Sequence, residues 1–162
     1  MPSVLVLEDD ATLRELILES LEEEGFRVRG AANAREALAL ARQGSPDLIL
    51  ADVRMEGMDG IDCLAELARV HPEARRVVIT GYADADAPAR AIRVEVDDYV
   101  HKPFRMHTLL AVVHRVLGAG RERDGYESLL GRIVAGYRTL VEKAGTALVS
   151  AKLASLDRSR DQ

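Results

Sequence analysis

Short apolar runs recur along the chain and predict five β-strands. The run over residues 48–52 is apolar up to its last residue, which is typical of a strand covered by helices on both faces of a parallel sheet. The run over residues 26–29 alternates between apolar and charged residues and predicts a strand near a sheet edge. The other predicted strands cover residues 4–7, 77–80 and 98–101.

Apolar residues between these runs recur every three or four positions and predict helices. The predicted helices cover residues 10–24, 33–43, 61–71, 84–93 and 106–117. Asn33 and Glu36 have the spacing of a capping box, and Pro88 weakens the fourth pattern because proline fits only a first helical turn. Five strands alternating with five helices indicate an α/β fold with a doubly wound parallel sheet.

A separate pattern follows this predicted domain, which we assign to residues 1–118. From Tyr126 onward, apolar residues alternate steps of four and three over about four heptads. Glycines interrupt the pattern, and each costs roughly 1 kcal/mol relative to alanine within a helix, so the helix needs a packing partner. We predict a helical extension over residues 119–162 that forms a homodimer, packs on its own domain, or begins a further domain. The homodimer is the expectation we favour.

Composition narrows the class of protein. The chain has 162 residues, enough for one domain of common size and an extension of about 40 residues. Acidic residues outnumber basic ones before Arg121, which argues against direct nucleic-acid binding by the main domain. Without a membrane-spanning run or a signal-peptide core, we expect a cytoplasmic protein with no membrane insertion. Cys63, the single cysteine, fits a reducing compartment and is expected to be buried and inert.

Polar residues occupy the ends of four predicted strands. They are Glu8 and Asp9 after the first, Asp52 at the end of the third, Thr80 at the end of the fourth and Lys102 after the fifth. Because the carboxyl ends of parallel strands lie at one edge of a sheet, we expect these residues to meet in a crevice. Several carboxylates without clustered cysteine or histidine favour a hard divalent cation such as Mg²⁺.

A reactive carboxylate explains the whole set. Each residue alone is common for other reasons, since aspartates cap helices, threonine suits strands and lysine suits surfaces. Together, Lys102 and a divalent cation would keep Asp52 ionised and nucleophilic among its acidic neighbours. The predicted chemistry is phosphoryl transfer onto Asp52.

Four motifs resemble those of the receiver domains of bacterial two-component response regulators. They are Val6-Leu-Glu-Asp-Asp10 with Arg14, Asp52-Val-Arg-Met55 with Met58-Asp-Gly60, Ile79-Thr-Gly81, and Asp97-Asp-Tyr-Val-His-Lys-Pro-Phe104. The resemblance covers residues 3–117 and implies a flavodoxin-like sheet with strand order 2-1-3-4-5. Counted back from Arg14, the family's acidic pair falls on Glu8 and Asp9, and Asp10 becomes a helix-capping residue.

The resemblance implies a role for each residue at the strand ends. Asp52 would accept the phosphoryl group, and Lys102 would pair with that group across a cis bond to the following proline. Mg²⁺ would be held by Asp9, Asp52 and the main-chain carbonyl of Arg54, with Glu8 acting through water.

The resemblance also implies a signalling switch rather than an enzyme with external substrates. A histidine kinase, a phosphotransfer protein or acetyl phosphate would supply the phosphoryl group, and the chain itself would catalyse only self-phosphorylation and slow autodephosphorylation. Thr80 and Tyr99 would form the switch pair and control a downstream protein partner through the face of residues 84–93, the fifth strand and the last helix. Two departures bear on that output. Glu56 replaces the usual proline, and Glu95, a poor helix terminator, lies where the family often has Gly-Ala.

Two other interpretations stay open. An aspartate-nucleophile phosphatase of the haloacid-dehalogenase type also uses a strand-end aspartate, Mg²⁺ and a lysine, but that family expects a second aspartate at the position of Arg54. Residues 137–148 resemble the opening of a PAS sensor domain, which would make the chain the receiver fragment of a longer receiver-PAS protein.

Overall fold

Five parallel strands form one sheet in the order β2-β1-β3-β4-β5. The structure, a computed structural model, describes residues 1–55, 59–81 and 94–118. The strands are β1 (Ser3–Leu7), β2 (Arg27–Ala31), β3 (Leu48–Asp52), β4 (Arg75–Gly81) and β5 (Asp98–Lys102). The helices are α1 (Ala11–Glu23), α2 (Ala34–Arg42), α3 (Gly60–Val70) and α4 (Met106–Gly118). The fold class and the strand order are therefore confirmed.

Alternate residues of the strands enter two cores, one on each face of the sheet. On the face of α2 and α3, the buried strand residues include Leu5, Leu7, Ile49, Ala51 and Val78. On the face of α1 and α4, they include Val4, Val6, Leu50, Ile79 and Val100. All five residues of β3 are buried, which confirms the interpretation of its uninterrupted apolar run. This double coverage makes the carboxyl end of β3 a rigid support.

The edge position predicted for the second strand is confirmed, but its boundaries differ. Phe26 was expected to begin the strand, whereas β2 starts one residue later and runs to Ala31. Phe26 instead enters the core, where its ring lies 5.2 Å from that of His114 in α4, and its N–H donates to the carbonyl of Leu21 at 3.1 Å. Burying the aromatic ring thus decides the strand start, which the alternation of apolar and charged residues alone could not define.

Side-chain caps begin the helices directly after the strands. The Asp10 carboxylate accepts the N–H of Leu13 at 2.9 Å, and the Asn33 side chain accepts the N–H of Glu36 at 2.9 Å. Glu36 in turn accepts the N–H of Ala32, the residue before the cap, at 2.8 Å. The predicted capping box therefore forms with its return bond on Ala32 instead of on the N–H of Asn33. The loops after β1 and β2 are therefore short and fixed, which matters because the acidic pair lies in the first of them.

The turn before β5 contains a residue in an unfavourable backbone conformation. Glu95 has φ 50°, a left-handed value that residues other than glycine and asparagine rarely adopt. Buried Arg76 holds the turn by donating to the carbonyls of Val94 at 3.1 Å and Glu95 at 3.3 Å. The Arg76 N–H also donates to the Asp97 carboxylate at 2.8 Å. Glu95 thus adopts a strained backbone conformation at this junction, and the hydrogen bonds from Arg76 hold it there.

Cys63 lies buried in α3, as predicted. Burial, with a smaller contribution from nearby Glu66, raises the pKa of its thiol to about 12, which makes it a poor nucleophile. Among the described residues, no helix has the length and apolar character needed to cross a bilayer. The predicted helix over residues 84–93, the predicted extension over residues 119–162 and the position of Glu56 lie outside the described residues.

Candidate functional site

Three carboxylates meet at the carboxyl edge of the sheet. Glu8 and Asp9 follow β1, and Asp52 ends the neighbouring strand β3, where Leu7 lies opposite Ala51. One oxygen from each carboxylate lies within 4.8 Å of the other two. Glu8 and Asp52 are buried and Asp9 is exposed, so the cluster opens to solvent on the side of Asp9.

Lys102 reaches this cluster from β5, an edge strand two places away from β3 in the sheet. Its Nζ donates to Oδ2 of Asp52 at 2.7 Å and to Oε2 of Glu8 at 3.0 Å. The lysine ends β5, and its bond to Pro103 is cis. One ammonium group therefore neutralises part of the charge of two buried carboxylates that come from different strands.

The charge states of this cluster follow from burial and pairing. Burial raises the pKa of Glu8, and the nearby Asp52 carboxylate adds to that rise, whereas the hydrogen bond from Lys102 opposes it. Burial acts to lower the pKa of Lys102, but its hydrogen bonds to Asp52 and Glu8 outweigh this effect, and the pKa is raised overall. The lysine thus stays protonated, while Glu8 gains a proton more readily than an ordinary glutamate.

The backbone around Asp52 fixes its second carboxylate oxygen. Oδ1 accepts the N–H of Arg54 at 3.1 Å, while Oδ2 faces Lys102. Behind the aspartate, the start of α3 comes so close that a methyl group on Gly60 would lie 1.7 Å from the carbonyl oxygen of Asp52. Gly60 was only part of a matching motif in the sequence. The structure shows that glycine is required there for helix and strand end to meet.

Thr80 and Tyr99 lie on the same face of the sheet but are not directly opposite each other. Thr80 is buried in β4, where its hydroxyl donates to the carbonyl of Gly81 at 3.3 Å, and its partner in the β5 register is His101. The rings of Tyr99 and His101 meet edge to face with centroids 4.7 Å apart. His101 thereby connects the two candidate switch residues, and burial lowers its pKa. The period-2 alternation of β5 is the sequence signal that could have identified it.

This set of groups fits Mg²⁺. Hard divalent cations of this kind take carboxylate, carbonyl and water oxygens, and the edge offers three carboxylates near the main chain of Arg54. Lys102 forms ion pairs with two of these carboxylates, those of Glu8 and Asp52. Asp9 is the exposed member of the three and lies at the mouth of the cluster.

Comparisons with known proteins agree with this geometry. The model of the response regulator receiver domain matches residues 4–114. The chain is 32% identical over 121 residues to the DNA-binding transcriptional regulator NtrC of Salmonella typhimurium, covering 75% of this chain and 26% of NtrC. It is 34% identical over 146 residues to the transcriptional regulatory protein PdtaR of Mycobacterium tuberculosis, covering 87% of this chain and 70% of PdtaR. The chain thus spans about a quarter of the length of NtrC.

Solved structures give the same result. The chemotaxis protein CheY4 of Vibrio cholerae superposes with a TM-score of 0.68 at 28% identity, covering 72% of this chain and 98% of CheY4. The receiver domain of NtrX from Brucella abortus superposes with a TM-score of 0.67 at 33% identity, covering 72% of this chain and 99% of that domain.

Receiver domains are signalling switches rather than enzymes in the usual sense. They interact with histidine kinases and downstream effectors, and they bind Mg²⁺ at an acidic pocket. With its matching motifs, its 2-1-3-4-5 sheet and the match over residues 4–114, this chain belongs to the response regulator receiver domain family.

Proposed function

We propose that this receiver domain accepts a phosphoryl group on the carboxylate of Asp52. One carboxylate oxygen attacks the phosphorus of a phosphohistidine in a histidine kinase or phosphotransfer protein, or of acetyl phosphate. A new O–P bond forms as the P–N bond to imidazole, or the P–O bond to acetate, breaks and the leaving group takes the electron pair. The observation that carries the proposal is the buried Asp52 with Oδ2 2.7 Å from Lys102 Nζ and Oδ1 on the N–H of Arg54.

Lys102 has two tasks in this proposal. Before transfer, its ammonium orients the nucleophilic carboxylate of Asp52 by donating to Oδ2. During transfer, the ammonium exchanges the carboxylate oxygen for a phosphoryl oxygen and stabilises the negative charge there. Its hydrogen bond to Glu8 keeps the ammonium within the crevice during this exchange.

A Mg²⁺ ion completes the proposed site. The carboxylates of Asp9 and Asp52 and the main-chain carbonyl of Arg54 would hold it, with Glu8 acting through water. When bound, the ion would neutralise negative charge on the transferring group. The exposed side of the cluster, at Asp9, leaves room for the donor, while the buried Glu8 and the half-buried Lys102 close the inner side.

The residues beside Asp52 favour a single phosphoryl transfer over repeated hydrolysis of external substrates. Repeated hydrolysis of small phosphomonoesters requires an acid and base beside the nucleophile, and an aspartate two residues along the chain supplies it in haloacid-dehalogenase phosphatases. Arg54 occupies that position here and offers no such proton transfer. We therefore propose a phosphorylated switch whose only further reaction is slow loss of its own phosphoryl group.

The switch would be carried by Thr80 and Tyr99. In the proposal the Thr80 hydroxyl leaves the carbonyl of Gly81 for a phosphoryl oxygen, and the Tyr99 ring turns inward behind it. The long 3.3 Å bond of Thr80 is easily exchanged, and the contact between Tyr99 and His101 lies next to it in the sheet. A beryllofluoride complex should shift backbone resonances of β5 and α4. Changes confined to the loops around Asp52 would contradict the switch.

The remainder of the chain enters the proposal as a second unit. We assign residues 1–118 to the receiver and residues 119–162 to a helical extension that forms a homodimer or begins a further domain, such as a PAS domain. The downstream partner is a protein in the cytoplasm, and the receiver itself does not bind nucleic acid. Sedimentation of the full chain beside residues 1–118 tests the dimer, because two equally monomeric species would exclude it.

Phosphorylation in vitro tests the central proposal. The wild type, incubated with Mg²⁺ and radiolabelled acetyl phosphate, should acquire one acid-labile phosphoryl group, whereas Asp52→Asn should not, and Asp9→Ala should label only weakly. Strong labelling of Asp52→Asn would overturn the assignment. The same protein given p-nitrophenyl phosphate should release no phosphate beyond the background. Sustained release would favour the phosphatase instead.

A further inference from the structure

Arg14 binds the main chain of the acidic loop from the first turns of α1. Its guanidinium Nη1 donates to the carbonyl of Glu8 at 2.8 Å and lies 3.4 Å from the carbonyl of Asp9. These are two of the three residues whose side chains form the carboxylate cluster. The contact is made to main-chain carbonyls and not to the two carboxylates.

Gly30 in β2 makes room for this arrangement. A methyl group on Gly30 would lie 2.7 Å from Cδ1 of Leu18 and 3.2 Å from Cδ of Arg14. The aliphatic part of Arg14 therefore lies directly against the strand backbone, which sets the direction of its guanidinium. From the same strand, the carbonyl of Ala31 accepts the N–H of Glu8 at 3.1 Å. The acidic loop is thus held by β2 on one side and by Arg14 on the other.

We propose that Arg14 is a positioning residue for the divalent cation, acting through the backbone of Glu8 and Asp9. This inference rests on the proposed Mg²⁺ site and assigns to Arg14 a part in building it. Metal sites need ligands fixed within about 0.5 Å, and loss of a group that orients the ligands typically lowers metal affinity 10- to 100-fold. The N–H of Asp10, which donates to Oε1 of Glu8 at 3.2 Å, depends on the same loop conformation.

The charge of Arg14 and its positioning contact predict opposite changes in Mg²⁺ affinity when the residue is replaced. A guanidinium bound to the loop that carries two of the carboxylates repels an incoming Mg²⁺ ion, so removing its charge alone would tighten binding. Removing a positioning contact would weaken binding. The substitution Arg14→Gln does both, and the direction of the change in the Mg²⁺ dissociation constant reports which effect is larger.

Four variants of the full chain separate the two effects. Arg14→Gln removes charge and contact, whereas Arg14→Lys keeps the charge and one donor. Gly30→Ala keeps the charge and presses on the side chains of Leu18 and Arg14. Arg42→Gln is the matched control, because it removes one positive charge from the exposed last turn of α2, at the opposite end of that helix from the site.

The measurement is titration of each cation-free protein with MgCl₂ by calorimetry, together with hydrogen exchange of the Asp10 amide. We expect Mg²⁺ affinity to fall about tenfold in Arg14→Gln, and less in Arg14→Lys and Gly30→Ala. It should change less than twofold in Arg42→Gln. Exchange of the Asp10 amide should accelerate in Arg14→Gln even without Mg²⁺, while amides of β3 keep their protection.

Unchanged or tighter Mg²⁺ binding by Arg14→Gln, with the Asp10 amide still protected, would overturn the inference and leave the proposed function intact. A wild type that binds no Mg²⁺ would overturn both. Loss of protection throughout the sheet in Arg14→Gln would identify a purely structural role, unless Gly30→Ala, with β3 protected, still shows weaker Mg²⁺ binding.

Discussion

Lys102 Nζ lies 2.7 Å from Oδ2 of Asp52, although β4 separates their two strands in the sheet. The lysine reaches past the end of β4 to the reactive carboxylate, and a second bond to Glu8 fixes it there. Because this ammonium occupies one oxygen of the nucleophile, it competes with a cation for the carboxylates. In the proposed transfer it also stabilises the negative charge of the phosphoryl group.

Replacing this lysine should therefore have two opposite effects. In Lys102→Met, Mg²⁺ should bind more tightly at pH 8, because a positive charge has left the cluster and Oδ2 of Asp52 is free. The rate of labelling by acetyl phosphate should fall about 100-fold, because no ammonium meets the developing charge. Calorimetry and a labelling time course measure the two quantities. A parallel fall in both would assign Lys102 to folding instead, and Lys102→Arg is the control that keeps the charge.

The raised pKa of Glu8 gives stability a definite pH dependence. A carboxyl group whose folded pKa exceeds its ordinary value of 4.5 stabilises the protein fully below that pH, and the contribution is lost as the pH rises through the folded pKa. Glu8→Gln, always neutral, should therefore gain free energy of unfolding over the wild type between pH 4 and 7 without divalent cations. Urea unfolding at several pH values measures this.

Glu36 supplies a control of opposite sign. The N–H of Ala32 lowers the pKa of its carboxyl group, so its contribution is present above pH 4.5 and is lost as the pH falls through the lowered pKa. Glu36→Gln should consequently lose stability relative to the wild type as the pH rises from 3 to 7. The same sign for both variants would show that the burial of Glu8 does not control its titration.

The close approach at Gly60 predicts a severe effect from a single methyl group. Gly60→Ala should lower the free energy of unfolding by about 3 kcal/mol, because the added carbon meets backbone and cannot rotate away. Phosphorylation of the remaining folded protein should slow, since α3 must withdraw from Asp52. Gly118→Ala, where the added carbon meets nothing within 4 Å, should change stability by no more than about 1 kcal/mol. Similar effects at the two glycines would exclude this account.

The strained turn before β5 predicts a stabilising substitution. Glu95→Gly should raise the free energy of unfolding by about 1 kcal/mol, because glycine adopts φ 50° without strain and the carbonyls that bind Arg76 remain. Gly25→Ala, at φ 87°, should lower it by a similar amount. Denaturant unfolding measures both changes. A destabilised Glu95→Gly would show that the Glu95 side chain contributes more than its backbone strain costs.

Periodicity was enough to predict the five strands and the four helices of the described residues, because burial on one or both faces dictates where apolar residues fall. The residues at the strand ends were also identifiable, since a parallel sheet brings those ends to one edge. The detailed contacts were not. These contacts depend on distances that the sequence does not give. Examples are the bond of Lys102 to Glu8 as well as Asp52, the approach of Gly60 to a backbone carbonyl, and the hold of Arg14 on the acidic loop. The start of β2 depended likewise on the burial of Phe26.

The edge of the sheet formed by β2 has a consequence for self-association. Within the described residues β2 pairs only with β1, and its outer edge offers N–H and C=O groups to which another strand could bind. Arg27 and Arg29 are both exposed on this five-residue strand. Two copies meeting edge to edge would bring four guanidinium groups together and would repel one another. The two arginines thereby disfavour the pairing of two copies through β2.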